Sequence, residues 1–322
     1  MFLGSFIHVA AVPIIYNVAH TALCNMNFDY KRYIGVTLKQ GFAMMLVWAP
    51  FSINMGIILK YIPVNWSDIA LPAFIFALLG ICISCLCEYF THMRKEKYSF
   101  AVSISVNKNK VAETTKKLVE YISCVLAFVV LMDRFTEHAA IDILILCSLT
   151  IPMIWAVMNK KHKSYIDTVK EHFNVKVPQL KNLYIIITTA GFLMLALRSV
   201  GFDEFLNNIF LTAMGNFGVI STMLIIIFIM MLSSWIGLHP FIAIAIICQN
   251  LNFANQIVST EIYTYSLLVA CSLSNLVSPT TISTAVISSL VDRNVFEVGV
   301  KWHILFIAAI LLLFIGFLMI LM

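Results

Sequence analysis

The stretch 263–290, YTYSLLVACSLSNLVSPTTISTAVISSL, decides how this chain is to be read. It is long and apolar enough for a membrane helix, since about 20 apolar residues cross a hydrocarbon core roughly 30 Å thick. Ser278 and Pro279 nevertheless interrupt it near the middle. A proline inside a helix removes one backbone donor and frees one carbonyl. Lipid offers no partner for that carbonyl, so irregular backbone at membrane depth persists only where protein or a polar cavity satisfies it. A second interruption of the same kind stands at Trp48, Ala49, Pro50, Phe51, Ser52 and Asn54, inside the apolar run 41–61. A plain proline kink, patched by a nearby hydroxyl, is the bland reading of either one. Two matched interruptions are harder to explain that way.

The rest of the composition agrees with a lipid setting. Of 322 residues, 61% are hydrophobic and 11% charged, against about 25% charged in soluble domains. Thirteen of the 21 Lys and Arg residues fall in two stretches, seven in 92–118 and six in 159–182. Such clustering marks cytoplasmic loops and not a nucleic-acid surface. The eight cysteines show no paired framework, and Cys82, Cys85 and Cys87 read as packing residues in one apolar run. Met1 to Cys24 carries no Lys or Arg and does not resemble a signal peptide.

Apolar runs oriented by loop charge give one path. Residues 2–24 are too interrupted to count as a span and lead to a loop with Lys31, Arg32 and Lys39. Residues 41–61 run outward, Pro63 to Ala70 form an outer loop, and 71–90 return. Beyond the basic loop 92–117, Leu118–Met132 and Ala139–Met158 cross, followed by the basic loop 159–182 and a crossing at 183–200. A short amphipathic helix is expected at 202–215, then a hairpin over 217–251 that turns at Ser233 to Pro240. Its second arm has about 11 residues, half a bilayer, which favours a re-entrant hairpin over two crossings. The interrupted helix 263–290 and a last span, 302–322, complete the chain.

The two interruptions share a grammar. His8 and Pro13 precede Pro50 as His239 and Pro240 precede Pro279, with 37 residues from Pro13 to Pro50 and 39 from Pro240 to Pro279. Loop charge sends the first interrupted helix outward and the second inward, as an inverted repeat requires. The expected fold is therefore all-α and polytopic, with inverted repeats, re-entrant helical hairpins and discontinuous helices. Its parts are the remainder of a first repeat at 1–91, a cytoplasmic loop at 92–117 and a full second repeat at 118–322.

On these features the chain resembles the ion transporter superfamily, which includes divalent anion/sodium symporters, citrate transporters and arsenite pumps. Each half in that family looks like three helices, a re-entrant hairpin, a discontinuous helix and a closing helix. The resemblance implies preceding helices before residue 1, so an N-terminally shortened chain is expected. It also implies Ser-Asn-Thr at each hairpin tip of the symporter branch, whereas here the tips read Leu3, Gly4, Ser5 and Ser233, Ser234, Trp235, Ile236, Gly237. Sodium and dicarboxylate specificity are not carried over.

Candidate substrate or ion contacts are Asn275, Ser278, Thr280 and Thr281 at the second break, and Ser233, Ser234, Gly237 and His239 at the facing tip. Gly4 and Ser5 at the first tip and Trp48 and Asn54 at the first break complete the set. Each has a bland counterpart in backbone repair or a tight turn. His8 and His239 have one in interior hydrogen bonding. No Asp or Glu falls in a tip or break, and Glu88, Asp133 and Asp142 read as helix-end residues in contact with water. The functional expectation is a secondary active transporter of a small anion or ion, working by alternating access. It is taken as a non-enzyme without a cofactor or bound metal, with sodium or a proton as the coupling ion. The expected surroundings are a bacterial-type cytoplasmic membrane, a small-molecule or ion substrate, the lipid bilayer, no nucleic acid, and a second copy in a homodimer. The alternatives are a membrane-embedded metal enzyme using His8 and His239, and a non-transporting remnant or assembly partner.

Overall fold

The computed structural model describes residues 1–24, 26, 28–50, 52–91, 127, 128, 131, 150–158, 160–179, 181–250 and 258–322, and among these there is no strand. Among the described residues five segments are long and apolar enough to cross a bilayer: 30–61, 66–91, 204–235, 260–291 and 297–321. The chain is thus an all-helical protein with the helices of an integral membrane protein. Most of the expected crossings Leu118–Met132 and Ala139–Met158 and the whole basic loop 92–117 lie outside the described residues.

By packing the chain forms two compact units, one of Met1–Val106 with Asn208–Met322 and one of Asn107–Asn207. In the first, a short helix α1 (Phe2–Ile7) and a 3-10 turn (His8–Ala10) lead into α2 (Ala11–Leu23). The first interrupted helix is α3 (Tyr30–Trp48) with α4 (Ile53–Tyr61), followed by α5 (Trp66–Thr91). In the second unit lie α6 (His162–Glu171), a π turn (His172–Lys176), one turn at Val177–Gln179 and α7 (Lys181–Ser199). The first unit resumes at Asn208, within α8 (Phe202–Trp235), and continues with α9 (Pro240–Asn250), α10 (Thr260–Val277), α11 (Ile282–Val291), a π turn (Glu297–Lys301) and α12 (Ile304–Leu321).

Burial separates a centre from a lipid-facing shell. The apolar windows of the two interrupted helices are 82% and 83% buried, whereas those of α5, α8 and the C-terminal helix are 33%, 33% and 22% buried. On α12 the buried residues are Phe306, Ile310, Phe314 and Leu318, one every four residues. That is the single stripe a helix presents when one side meets protein and the rest meets lipid. Phe76 of α5 stacks edge-on against Phe314 and Phe317 of this helix, with ring centroids 6.0 and 5.4 Å apart.

The two interrupted helices lie side by side and antiparallel. Ile34 and Leu38 of α3 pack with Ile287 and Val291 of α11. Further along α3, Lys39 meets Ser283, Thr281 and Asn275, and the carbonyl of Ala43 accepts from Ser272 of α10 at 2.6 Å. Residue numbers rise along one element as they fall along the other.

The interruptions are alike in geometry. Trp48 and Val277 end their helices, and Ile53 and Ile282 start the next ones. Ala49 has φ −67°, ψ 124° and Ser278 has φ −70°, ψ 125°, while Ser52 has φ −84°, ψ 141° and Thr281 has φ −73°, ψ 147°. The distance from Pro50 to Pro279, 229 residues, is shared by other features. It relates the buried Ser5 to the buried Ser234 and the helix start Ala11 to the helix start Pro240. It also relates His8, with φ 51°, to Gly237, with φ 100°. The latter two stand at the turns before α2 and α9, where the chain needs the left-handed region that glycine enters freely and most other residues avoid.

Three sequence expectations need correction. The first interrupted helix starts at Tyr30 and not at residue 41, so Lys31, Arg32 and Lys39 are helical and not in a loop. Asp29 caps it by accepting from the Arg32 amide at 3.1 Å, a start signal hidden by the basic residues that follow. The outer loop is shorter than Pro63 to Ala70, because α5 begins at Trp66, and Trp66 and Ile69 are buried. The amphipathic stretch 202–215 is set off as expected: Gly218, with φ 76° and ψ 175°, is non-helical and kinks the chain between that stretch and the apolar arm that runs to Trp235. The basic stretch 159–182 is largely helical, with His162–Glu171 and a π turn among its parts.

Candidate functional site

The second interruption is a cluster of oxygens around an amine. Pro279 has no N–H, so the carbonyl four residues earlier, that of Asn275, lacks its helical donor. Lys39, 1% exposed, supplies one: its Nζ donates to Asn275 O at 2.9 Å, Ser283 Oγ at 2.9 Å and Thr284 Oγ1 at 2.7 Å, with Thr281 Oγ1 at 3.3 Å. An ammonium has three donors and no acceptor, and the cradle offers enough acceptors for all three. Thr284 Oγ1 in turn donates to Ser278 O at 2.6 Å, and Thr281 Oγ1 lies 2.8 Å from Thr284 Oγ1. Among the described residues no carboxylate forms an ion pair with Lys39. Gly299 closes the cluster: a Cβ there would stand 3.4 Å from Val277 O and 3.5 Å from Ser278 O.

The first interruption has the same backbone and different side chains. Ser52 caps α4, its Oγ accepting from Met55 N at 3.3 Å and donating to Ala49 O at 3.0 Å. Trp66 Nε1 donates to Trp48 O at 3.1 Å. Asn54, in the first turn of α4, is fully buried, and neither atom of its amide has a hydrogen-bond partner; the Trp48 Nε1 and His8 Nε2 are likewise buried and unmatched. The Lys39 position is occupied, 229 residues on, by the buried Leu268, so no amine is delivered from α10. Buried amides without partners are rare because each costs about 1–3 kcal/mol, and the two orphaned side chains that flank this break, Trp48 and Asn54, are what a binding site would present there.

The two turns expected as hairpin tips divide similarly. Ser234 is fully buried, and its Oγ is hydrogen-bonded to Ser274 Oγ, which also donates to Met230 O at 2.8 Å. Ser233 donates to Met230 O at 2.8 Å, and Gly237 is exposed with open space around it. His239 turns back on its own helix start, its Nδ1 accepting from Phe241 N at 3.3 Å. The shared register sets His8 against Gly237, and His239 therefore against Ala10. At the other tip a Cβ on Gly4 would stand 3.7 Å from Met45, and Ser5 Oγ donates to Phe2 O at 2.6 Å. Of the residues singled out from sequence, Asn275 and Thr281 meet directly through Lys39, Ser278 joins them through Thr284, and Thr280 is exposed, with Ser278 Oγ 3.1 Å away. Ser234 is tied to α10, while Ser233, Gly237 and His239 make no contact with the break among the bonds described.

Lys39, Ser283, Thr284 and Gly299 are the site residues that sequence reasoning missed. Lys39 was masked by its neighbours Lys31 and Arg32, which suggested a loop; the signal was Asp29 as a helix cap followed by a stretch without proline through Trp48. Glu88 is a further correction. It is not a water-facing helix end but is 6% exposed and held by Arg32 through two bonds of 3.1 and 3.2 Å. The pair borders a cleft of about 560 Å³, also lined by Gln40, Lys301 and Trp302. Gln40 joins His303 Nδ1 at 3.1 Å and accepts from Ser84, which continues a buried polar row beside Lys39. Among the described residues no group of three His, Cys, Asp or Glu side chains is placed to hold a metal ion.

No family model, no curated protein and no solved structure matches the chain.

Proposed function

We propose that the protein is a secondary transporter that binds a small ion, an anion by preference, at its helix breaks near the middle of the membrane. The carrying observation is the pair of breaks: equal backbone geometry, antiparallel helices and a common 229-residue register that also covers the hairpin turns. That pattern supports inverted repeats with re-entrant hairpins, the arrangement in which half-helices present their termini to a cargo at the midplane. The second hairpin arm, α9, has 11 residues and is roughly 16 Å long at 1.5 Å per residue, half the hydrocarbon depth. The contact of Ala43 O with Ser272 Oγ supports it further, since these two residues are themselves 229 apart. A residue touching its own counterpart is expected on a two-fold axis. The resemblance to the ion transporter superfamily belongs to this reading.

Preference for an anion follows from sign. The starts of α4 and α11 lie at the breaks, and helix starts carry partial positive charge. Lys39 adds an amine with no carboxylate paired to it among the described residues. The first break is the proposed cargo side, because Asn54 and Trp48 keep polar atoms free there. An amide can donate to an anion from its NH2 and accept from a protonated one through its oxygen.

The test is a melting-temperature screen of detergent-purified protein against choline salts of phosphate, sulfate, nitrate, citrate and succinate. At least one should raise the wild-type melting point saturably. Asn54→Leu, which removes an unmatched amide and keeps the volume close, should fold with equal or higher stability and lose that response. A response that survives Asn54→Leu, or a wild type indifferent to every anion, sinks the assignment.

A further inference from the structure

The second break has the make-up of a monovalent cation site. It presents a freed main-chain carbonyl, that of Asn275, and the hydroxyls of Thr281, Ser283 and Thr284, all converging on one point. Hard cations take oxygen ligands, and carbonyls released by unwound helices are a usual source of them inside membrane proteins. The point where those four oxygens converge is not open: it holds the Nζ of Lys39. An ammonium is itself a monovalent cation that oxygens solvate, but this one is delivered on a side chain from the opposite helix.

We infer that the second break is a monovalent-cation site permanently filled by the chain's own Lys39, so that this half of the protein needs no alkali-metal ion to hold its interrupted helix together. The inference deepens the transporter reading by assigning one of its two breaks to an internal ion.

Three observations argue for a site and against a chance pin. The acceptors come from both sides of the break, Asn275 before it and Thr281, Ser283 and Thr284 after it, so one charge bridges the gap left by Pro279. Lys39 enters from α3, which places the charge on the partner repeat and links the two halves through it. The first break shows what the same backbone looks like without a tethered amine: Leu268 stands where Lys39 would, and Asn54, the counterpart of Ser283, is left unmatched. His303, a titratable residue of the same buried polar row, has its ring held by Gln40 at Nδ1 and by Val298 O at Nε2, 2.8 Å away.

The experiment uses the full-length chain in detergent. Melting temperatures are measured for the wild type and Lys39→Ala in LiCl, NaCl, KCl, propylammonium chloride and choline chloride at one ionic strength. The wild type should melt at the same temperature in all five. Lys39→Ala should melt lower in choline and regain much of the loss, saturably, in propylammonium and in at least one alkali cation. Adding Thr284→Val to Lys39→Ala should abolish that gain. If Lys39→Ala is recovered as monodisperse protein only when purified in one of those cations, the inference also stands. Recovery in none of them, or a Lys39→Ala protein indifferent to all, overturns it. So does a wild type stabilised saturably by sodium in a manner that Thr284→Val removes. These readouts require no transport, so they can fail while the anion screen above succeeds, and the reverse.

Discussion

Lys39 Nζ lies 2.9 Å from the carbonyl oxygen of Asn275, the residue four places before Pro279. A proline break and a buried cation are usually treated as separate liabilities in a membrane protein. Here each supplies what the other lacks: the proline releases an acceptor and the lysine supplies a donor, from helices 236 residues apart in the chain.

Restoring the missing donor should therefore compete with Lys39. In Pro279→Ala the amide of residue 279 is free to bond Asn275 O, and Ser278→Ala removes the hydroxyl that stands 3.1 Å from Thr280 Oγ1. The double variant should insert and purify like the wild type, because continuous helix is the safer structure in lipid. It should lose the anion response described above by a factor of at least ten. An unchanged response would show that the interruption is not used.

The hydrogen bond between Ser234 and Ser274 ties the hairpin tip to α10, where both side chains are fully buried. Ser234→Ala, Ser274→Ala and the double variant make a thermodynamic cycle. The expected coupling is about 0.6 kcal/mol and not above about 1.7 kcal/mol, the range measured for hydrogen bonds between membrane helices. It would be read from unfolding in a denaturing detergent. Independent, additive effects would mean that the tip is positioned by packing alone.

Close helix approach depends on small residues in the centre. A Cβ on Gly35 would meet Trp302 Cζ3 at 2.8 Å and Val291 Cγ1 at 3.3 Å. Trp302 is also the ring over which the Arg32 guanidinium lies, 5.9 Å from its centroid. Gly35→Leu should force that indole away and destabilise the protein by about 1–3 kcal/mol, the usual cost of overpacking. The check is the melting temperature beside that of Gly316→Leu, whose Cβ would meet nothing within 4 Å and which should be neutral.

How legible this was from sequence follows from what each signal depends on. The breaks were legible because proline acts locally: Pro50 and Pro279 mark them wherever the rest of the chain goes. The hairpin turn before Pro240 was legible for the same reason, Gly237 adopting the positive φ that the turn needs. The role of Lys39 was not legible, since a lysine in an apolar segment reads as an end-of-helix residue until its distant acceptors are known. Glu88 was misread as water-facing for a like reason: Arg32, its partner, lies 56 residues away. The 229-residue spacing was also hidden, because matching histidine to histidine paired His8 with His239, whereas the positive φ values pair His8 with Gly237. Local chemistry announces where a helix must stop; what then fills the gap is set by tertiary packing.

The antiparallel arrangement of the interrupted helices predicts which ends share a side of the membrane. Asp29 and Arg293 form an ion pair of 3.0 Å, which joins the start of α3 to the residues just after α11. Asn65, beyond α4, and Glu261, at the start of α10, belong at the opposite end, because Tyr265 OH reaches Ile69 O at 3.5 Å in the first turn of α5. Single cysteines at the exposed positions Asp292 and Asn65, in a background freed of native cysteines, should react with a membrane-impermeant maleimide from opposite faces of sealed vesicles, and one at Glu261 should follow Asn65. Labelling of Asp292 and Asn65 from one face would place both ends of an interrupted helix pair on the same side, which no spanning, inverted arrangement allows.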